Sequence, residues 1–192
     1  MRADSKVTRQ NLIDAFCILI RKKPVQKITV RELVDKAGYN RGTFYKYFRD
    51  VYDVLEQIEA LVLDRIKENF RSKIHPENFE QTFLDAFTAI QREQAVYFEI
   101  LLSPANNVRF VEKLLKEISP VFMETFRLPL EDSRSKYLTE IYLVTVISSV
   151  KLWLNDGRHP SAAELSKFIG EVLSHGVLPV IKSKRLETLS EA

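Results

Sequence analysis

Six polar side chains crowd one short stretch of the chain: Asn40, Arg41, Thr43, Tyr45, Lys46 and Tyr47. Together they offer an amide, two cations and three hydroxyls. As a set these groups donate hydrogen bonds and neutralise anions. They suit phosphate oxygens and base edges in a DNA major groove. A solvent-facing helix would carry more Glu/Lys pairs and fewer tyrosines. Catalytic constellations are missing by contrast. His75, His159 and His175 are scattered without metal-ligand spacing, and no HExxH, GxSxG, Walker or GxGxxG pattern occurs. Cys17, the single cysteine, lies beside Phe16 and near Leu19, which reads as a small buried hydrophobe. Neither an enzyme, a metal site nor a cofactor is expected.

The charge distribution agrees. Residues 1–53 hold 12 Lys/Arg against 6 Asp/Glu, a net of +6, whereas residues 54–192 hold 17 against 20, a net of −3. A small basic head on a mildly acidic body points to an anionic partner for the head. The polar start of the chain does not resemble a signal peptide. No apolar run reaches the roughly 18 residues of a membrane span. The expectation is therefore a soluble cytoplasmic protein without a membrane partner.

The elements that must position the polar cluster are helical. The chain has few glycines, no alternating strand pattern, and apolar residues at helical spacing. A first helix is expected from about Ser5 to Lys22, with Leu12, Ile13, Phe16, Leu19 and Ile20 on one stripe and Pro24 beyond it. Thr29 is a natural N-cap for a second helix, which Gly38 ends. Asn40 then caps a third, whose Phe44 and Phe48 face inward with Val34 and Ala37. The short turn Gly38-Tyr39-Asn40 between two such helices makes a helix-turn-helix. Asp50 caps a fourth helix running to about Lys73. Further helices are placed near 76–93, 95–103, 106–126, 133–156 and 161–182, with Pro104, Pro129 and Pro160 at the connections. Beyond Lys182 the polar tail is expected to fray. The predicted fold class is all-α.

The residues Thr29-Val30, Leu33, Ala37-Gly38, Gly42-Thr43-Phe44-Tyr45, Tyr47-Phe48 and Leu55 resemble the DNA-binding signature of the tetracycline-repressor (TetR) family. The resemblance covers about residues 5–60. It implies a helix-turn-helix DNA-binding domain over 1–52 and a helical effector-binding and dimerisation domain over 53–192. It further implies that Arg31, Arg41 and Thr43 reach base edges or phosphates, and that Gly42 allows close backbone approach. By the same resemblance Tyr45, Tyr47 and Lys46 contact chiefly phosphates, and Thr29 offers one more phosphate contact from its helix terminus. Val51 departs from the family pattern, which has a lysine there; Arg49 or Tyr52 stands nearby as a substitute. Tyr39 replaces a small β-branched residue. Arg2, Lys6 and Arg9 offer additional backbone contacts.

For the body, aromatic residues Phe83, Phe87, Tyr97, Phe122, Tyr142 and Trp153 are the candidate pocket lining, which suits a small apolar or aromatic effector. The last two helices are apolar on more than one side. Ile147, Val150, Leu154, Phe168, Val172, Leu173 and Val177 are the candidate homodimer interface. A twofold would set two recognition helices about 34 Å apart, on a pseudo-palindromic double-stranded operator. The expected function is a sequence-specific transcriptional regulator, foremost a repressor released by a small molecule. The alternative is a DNA-binding regulator that is constitutive or answers to a protein partner.

Overall fold

The computed structural model describes residues 2–75, 77, 79–103 and 107–176, and among these every regular element is a helix. The order is α1 (Arg2–Ile20), a 3-10 turn (Val25–Lys27), α2 (Val30–Ala37), α3 (Arg41–Tyr45), α4 (Val51–Ser72), α5 (Phe79–Leu101), α6 (Asn107–Thr125), α7 (Ser133–Asn155) and α8 (Ala162–His175). The all-α expectation holds. The chain divides into two compact units. The first comprises Met1–Arg65 with Gln94–Phe110, and the second comprises Ile66–Glu93 with Val111–Ala192.

In the first unit the caps lie where the residue types put them. Thr29 forms a capping box: Glu32 N–H donates to Thr29 Oγ1 at 3.2 Å, and Thr29 N–H donates back to Glu32 Oε2 at 3.0 Å. Lys23 Nζ donates to the same carboxylate at 2.6 Å. That bond first, then those from Thr29, hold the Glu32 carboxyl at about 2, well below its ordinary value. A depressed folded-state value contributes stability that is complete above the unfolded value, near 4.5, and is lost as pH falls towards 2. Glu32→Gln should therefore flatten the rise in stability between about pH 2 and pH 4.5, read by denaturant melts across that range.

Gly38 ends α2 with φ 74 and ψ 30, a left-handed conformation that a Cβ would strain. Asn40 Oδ1 accepts from Thr43 N–H at 2.8 Å and starts α3. Asp50 Oδ1 accepts from Asp53 N–H at 2.8 Å at the start of α4. α1 ends at Ile20, so Arg21, Lys22 and Lys23 follow the helix instead of forming its last turn. The backbone N–H groups of Lys22 and Lys23 close it onto Leu19 O. Leu12, Ile13, Phe16, Leu33, Phe44, Val54 and Ile58 build a core shut off from solvent. Cys17 is buried as expected, and desolvation pushes its thiol up to about 12, so it stays protonated.

The segments expected at 76–93 and 95–103 are two helical stretches that meet at a kink at Gln94 (φ −132, ψ 21), together labelled α5. That residue is also where the chain passes from the second unit to the first. α6 carries Pro120 inside its length.

In the second unit α7 contacts α8 and buries a stripe of Leu143, Ile147, Val150 and Trp153, the last packed on Phe87 of α5. α7 is the one described helix with the length and apolar content of a membrane span, a test that core helices also pass. Its opposite side leaves Tyr137, Leu138, Ile141, Val144 and Leu152 exposed. α8 ends at His175, short of the expected 182, and residues from Val177 onward lie outside the described ones.

Candidate DNA-binding surface

α3 is only five residues long, far too short to persist alone. Tertiary packing holds it. Phe44 is fully buried and Phe48 nearly so, with ring centroids 5.5 Å apart, and Phe48 N–H donates to Phe44 O at 3.0 Å. These two rings pin the inner side and leave the other side to solvent. Asn40, Arg41, Gly42, Tyr45 and Lys46 are exposed, while Thr43 and Tyr47 are half-buried. Thr29 and Arg31 are exposed at the start of α2. The structure thus places Arg41, Gly42, Thr43 and Tyr45 on α3, Asn40, Lys46 and Tyr47 beside its ends, and Thr29 and Arg31 at the start of α2.

Details refine individual roles. Tyr45 stands edge-on to Phe44, with centroids 5.4 Å apart, and is 58% exposed, so its ring is anchored and its hydroxyl presented. Tyr47 donates its hydroxyl to Ser5 Oγ at 3.2 Å, tying α3 to the start of α1. Arg31 lies 3.8 Å from Asp35, a fully solvated i,i+4 pair that leaves the guanidinium available. A Cβ on Gly42 would come within 3.3 Å of Asn40 Oδ1, the capping acceptor, so glycine here also protects the cap.

Several residues outside the motif's pattern support this surface. The Tyr39 hydroxyl accepts from Asn11 Nδ2 at 2.9 Å and fastens the turn to α1. Arg9 turns inward: its guanidinium donates to Gln57 Oε1 at 2.6 Å and lies 5.8 Å from the Phe48 ring centroid. It braces α3 from behind. Val51 is buried. Arg49 bonds to Asp53 through both its backbone N–H (2.8 Å) and its guanidinium (3.2 Å). Although burial pushes the Asp53 carboxyl up, these two bonds outweigh it and hold the group low. The i,i+4 spacing of Arg49 and Asp53 was a legible signal for the pair.

Of the aromatic residues selected in the body, Phe83, Phe87, Phe122, Tyr142 and Trp153 lie in the second unit and Tyr97 in the first. Phe87 packs on Trp153 with centroids 5.8 Å apart, and Phe83 stacks on Phe87 at 6.1 Å. Phe122 packs on Tyr142 at 4.7 Å and on Phe70 at 6.1 Å. Tyr97 instead receives a hydrogen bond from Gln10 Nε2 on α1 at 2.9 Å, because the last turns of α5 join the first unit. Of the selected interface residues, Ile147 and Val150 are buried by the chain's own packing. Leu154, Val172 and Leu173 are half-buried, Phe168 is exposed, and Val177 lies outside the described residues. Among the described residues no group of three His, Cys, Asp or Glu could hold a metal ion.

A short capped helix exposing Arg41, Tyr45 and Lys46, with Thr43 half-buried between them, behind a glycine turn can grip a DNA groove. The sequence profile described as bacterial regulatory proteins, tetR family, matches residues 12–58. A second, the transcriptional regulator C-terminal region of that family, matches residues 77–175. The chain belongs to the tetR family. This TetR-family protein is 23% identical over 171 residues to an HTH-type transcriptional regulator of Staphylococcus aureus (strain USA300), covering 84% of this chain and 89% of the relative. Its fold is similar to NalD, the secondary repressor of the MexAB-OprM multidrug efflux pump in Pseudomonas aeruginosa. The TM-score is 0.64 at 16% identity, over 91% of this chain and 97% of the other. It is also similar to the transcriptional regulator FadR from Bacillus subtilis in complex with stearoyl-CoA, with a TM-score of 0.63 at 17% identity over 88% and 98%. These TetR-family relatives are regulators, and this protein is a DNA-binding transcriptional regulator, not an enzyme.

Proposed function

We propose that this TetR-family regulator is a homodimeric repressor that grips a pseudo-palindromic operator through α3 and is released by a small molecule bound in the second unit. The observation that carries the DNA reading is the exposed outer side of α3, held rigid by Phe44, Phe48 and the Asn40 cap. Arg41 and Thr43 enter the major groove and read base edges. Tyr45, Lys46 and Tyr47 bind phosphates, and Gly42 permits close approach. Thr29 and Arg31 add contacts from α2. The test is fluorescence anisotropy on duplexes that the protein itself selects. Arg41→Ala should cost about 1–3 kcal/mol and relax the preference at one base pair of each half-site. Tyr45→Phe should cost about 1 kcal/mol equally on every sequence. Wild-type binding by both variants would overturn these assignments.

The effector reading is supported by the aromatic residues of the second unit and by two buried amides. Asn69 is 1% exposed and Gln91 is 9% exposed, and both polar atoms of each side chain lack a hydrogen-bond partner among the described residues. A buried amide without partners is costly, and a ligand group that hydrogen-bonds it recovers that cost. We therefore read the effector as mainly apolar with neutral hydrogen-bonding groups. That the same fold holds stearoyl-CoA in the B. subtilis regulator supports a helical body that can enclose an apolar chain. Release then needs only unequal affinity of the effector for the DNA-competent and incompetent states.

The homodimer reading is supported by the exposed apolar side of α7. Tyr137, Ile141, Val144 and Leu152 recur at helical spacing, and Phe168 on α8 is exposed as well. A patch this apolar calls for a partner, and a second copy meets it with an isologous four-helix contact. The proposed interface thus centres on Tyr137, Ile141, Val144, Leu152 and Phe168, in place of the buried Ile147 and Val150.

A further inference from the structure

Within the first unit, one carboxylate is shared between the end of the DNA-binding motif and a helix far away in sequence. Glu56 on α4 accepts from Arg49 Nη2 at 3.3 Å through Oε2, and from Arg109 Nη2 at 2.9 Å through Oε1. Arg49 directly follows the inward Phe48, and its side chain is 78% exposed. Arg109 stands in the first turn of α6 and also lies 3.9 Å from the buried carboxylate of Glu59. Asp53 is the other partner of Arg49. Arg49 therefore spends Nη2 on the two acids, which leaves Nε and Nη1 to donate outward.

The sign of the electrostatics follows. Asp50, Asp53, Glu56 and Glu59 gather at this corner; Arg49 pairs with Asp53 and Glu56, and Arg109 pairs with Glu56 and lies near Glu59. A phosphate approaching Arg49 meets one cation diluted by acids. Arg109 cancels part of that acidity without itself belonging to the motif. If Arg109 withdraws, Glu56 turns wholly to Arg49 and the phosphate meets more negative charge. If Glu56 loses its charge, Arg49 is freed.

We propose that Glu56 is a positioning residue for DNA binding: divided between Arg49 and Arg109, it sets how much positive charge Arg49 offers a backbone phosphate, so the first turn of α6 tunes DNA affinity through it. This takes Arg49 as the cation that serves where Val51 replaces the family's lysine. The inference rests on the reading that the motif's outer side faces DNA.

The experiment uses the full-length protein and a labelled duplex that the wild type has selected from a random-sequence library. Anisotropy titrations run from low to moderate salt. Arg109→Gln should weaken binding about threefold at low salt, with the difference fading as salt screens it. Glu56→Gln should tighten binding by a similar factor and steepen the salt slope by up to about one, the value of one more phosphate contact. Arg109→Lys, which keeps the charge, should bind like wild type. The deciding comparison is the Arg49→Gln background, in which neither Arg109→Gln nor Glu56→Gln should change affinity. If both act equally with and without Arg49, or neither acts at all, the proposal is overturned while the DNA reading stands. If the wild type selects no sequence, both fall. Should Arg109→Gln lower the melting temperature, the Glu56→Gln pair decides alone.

Discussion

Phe44→Ala is expected to cost about 3–5 kcal/mol of stability, the range for emptying an aromatic side chain from a tight core. The ring is fully buried and touches both Tyr45 and Phe48 at centroid distances of 5.4 and 5.5 Å. α3 has five residues, so it has almost no helical stability of its own. With the ring gone, the Asn40 cap and Phe48 remain but the inner side of α3 loses its fully buried anchor. The outer residues then lose their common orientation. Hydrogen exchange at the amides of α2 and α3, together with denaturant melts, reads the loss directly. Sequence-selective DNA binding should vanish even under conditions where the second unit stays folded. Protection of those amides unchanged from wild type would show that the ring is not what holds α3.

The second large effect is expected at the exposed side of α7. Ile141 is 62% exposed in the single chain, so Ile141→Arg should leave the fold of the subunit intact. In a dimer it would face its own symmetry mate near the twofold and bring two guanidiniums into an apolar contact. On the proposed interface, sedimentation should find a dimer for the wild type and a monomer for this variant. Operator affinity should then drop by at least about a hundredfold, because two half-sites are no longer held by one body. A control at Ile147, which the chain itself buries, should destabilise the subunit instead. If Ile141→Arg sediments as the wild type does, the apolar side of α7 serves something other than a second copy.

Local signals made the DNA-binding surface legible. Thr29 and Asn40 as N-caps and Gly38 at the turn are short-range signals, and each reappears as a cap or a left-handed residue. Phe44 and Phe48 at four-residue spacing can only share one side of a helix, and both are buried. The break between two segments at Gln94 was also visible, and the helix kinks there.

Other features depended on residues far apart in sequence. Arg9 resembled a groove cation until the fold set Gln57 and Phe48 beside it. Tyr97 reads like the other aromatic residues of the body, yet it bonds to Gln10 on α1. No spacing rule joins Glu56 to Arg109, 53 positions away. α7 is apolar on more than one side, so periodicity could not say which side would be buried; the packing of the second unit chose Leu143, Ile147, Val150 and Trp153 and left Ile141 outside. The sequence by itself determined the helices, their caps and the motif, because those depend on interactions within a few residues. Only the tertiary structure decided which apolar side faces inward and which cation meets which acid, because burial and charge pairing depend on what distant segments bring alongside.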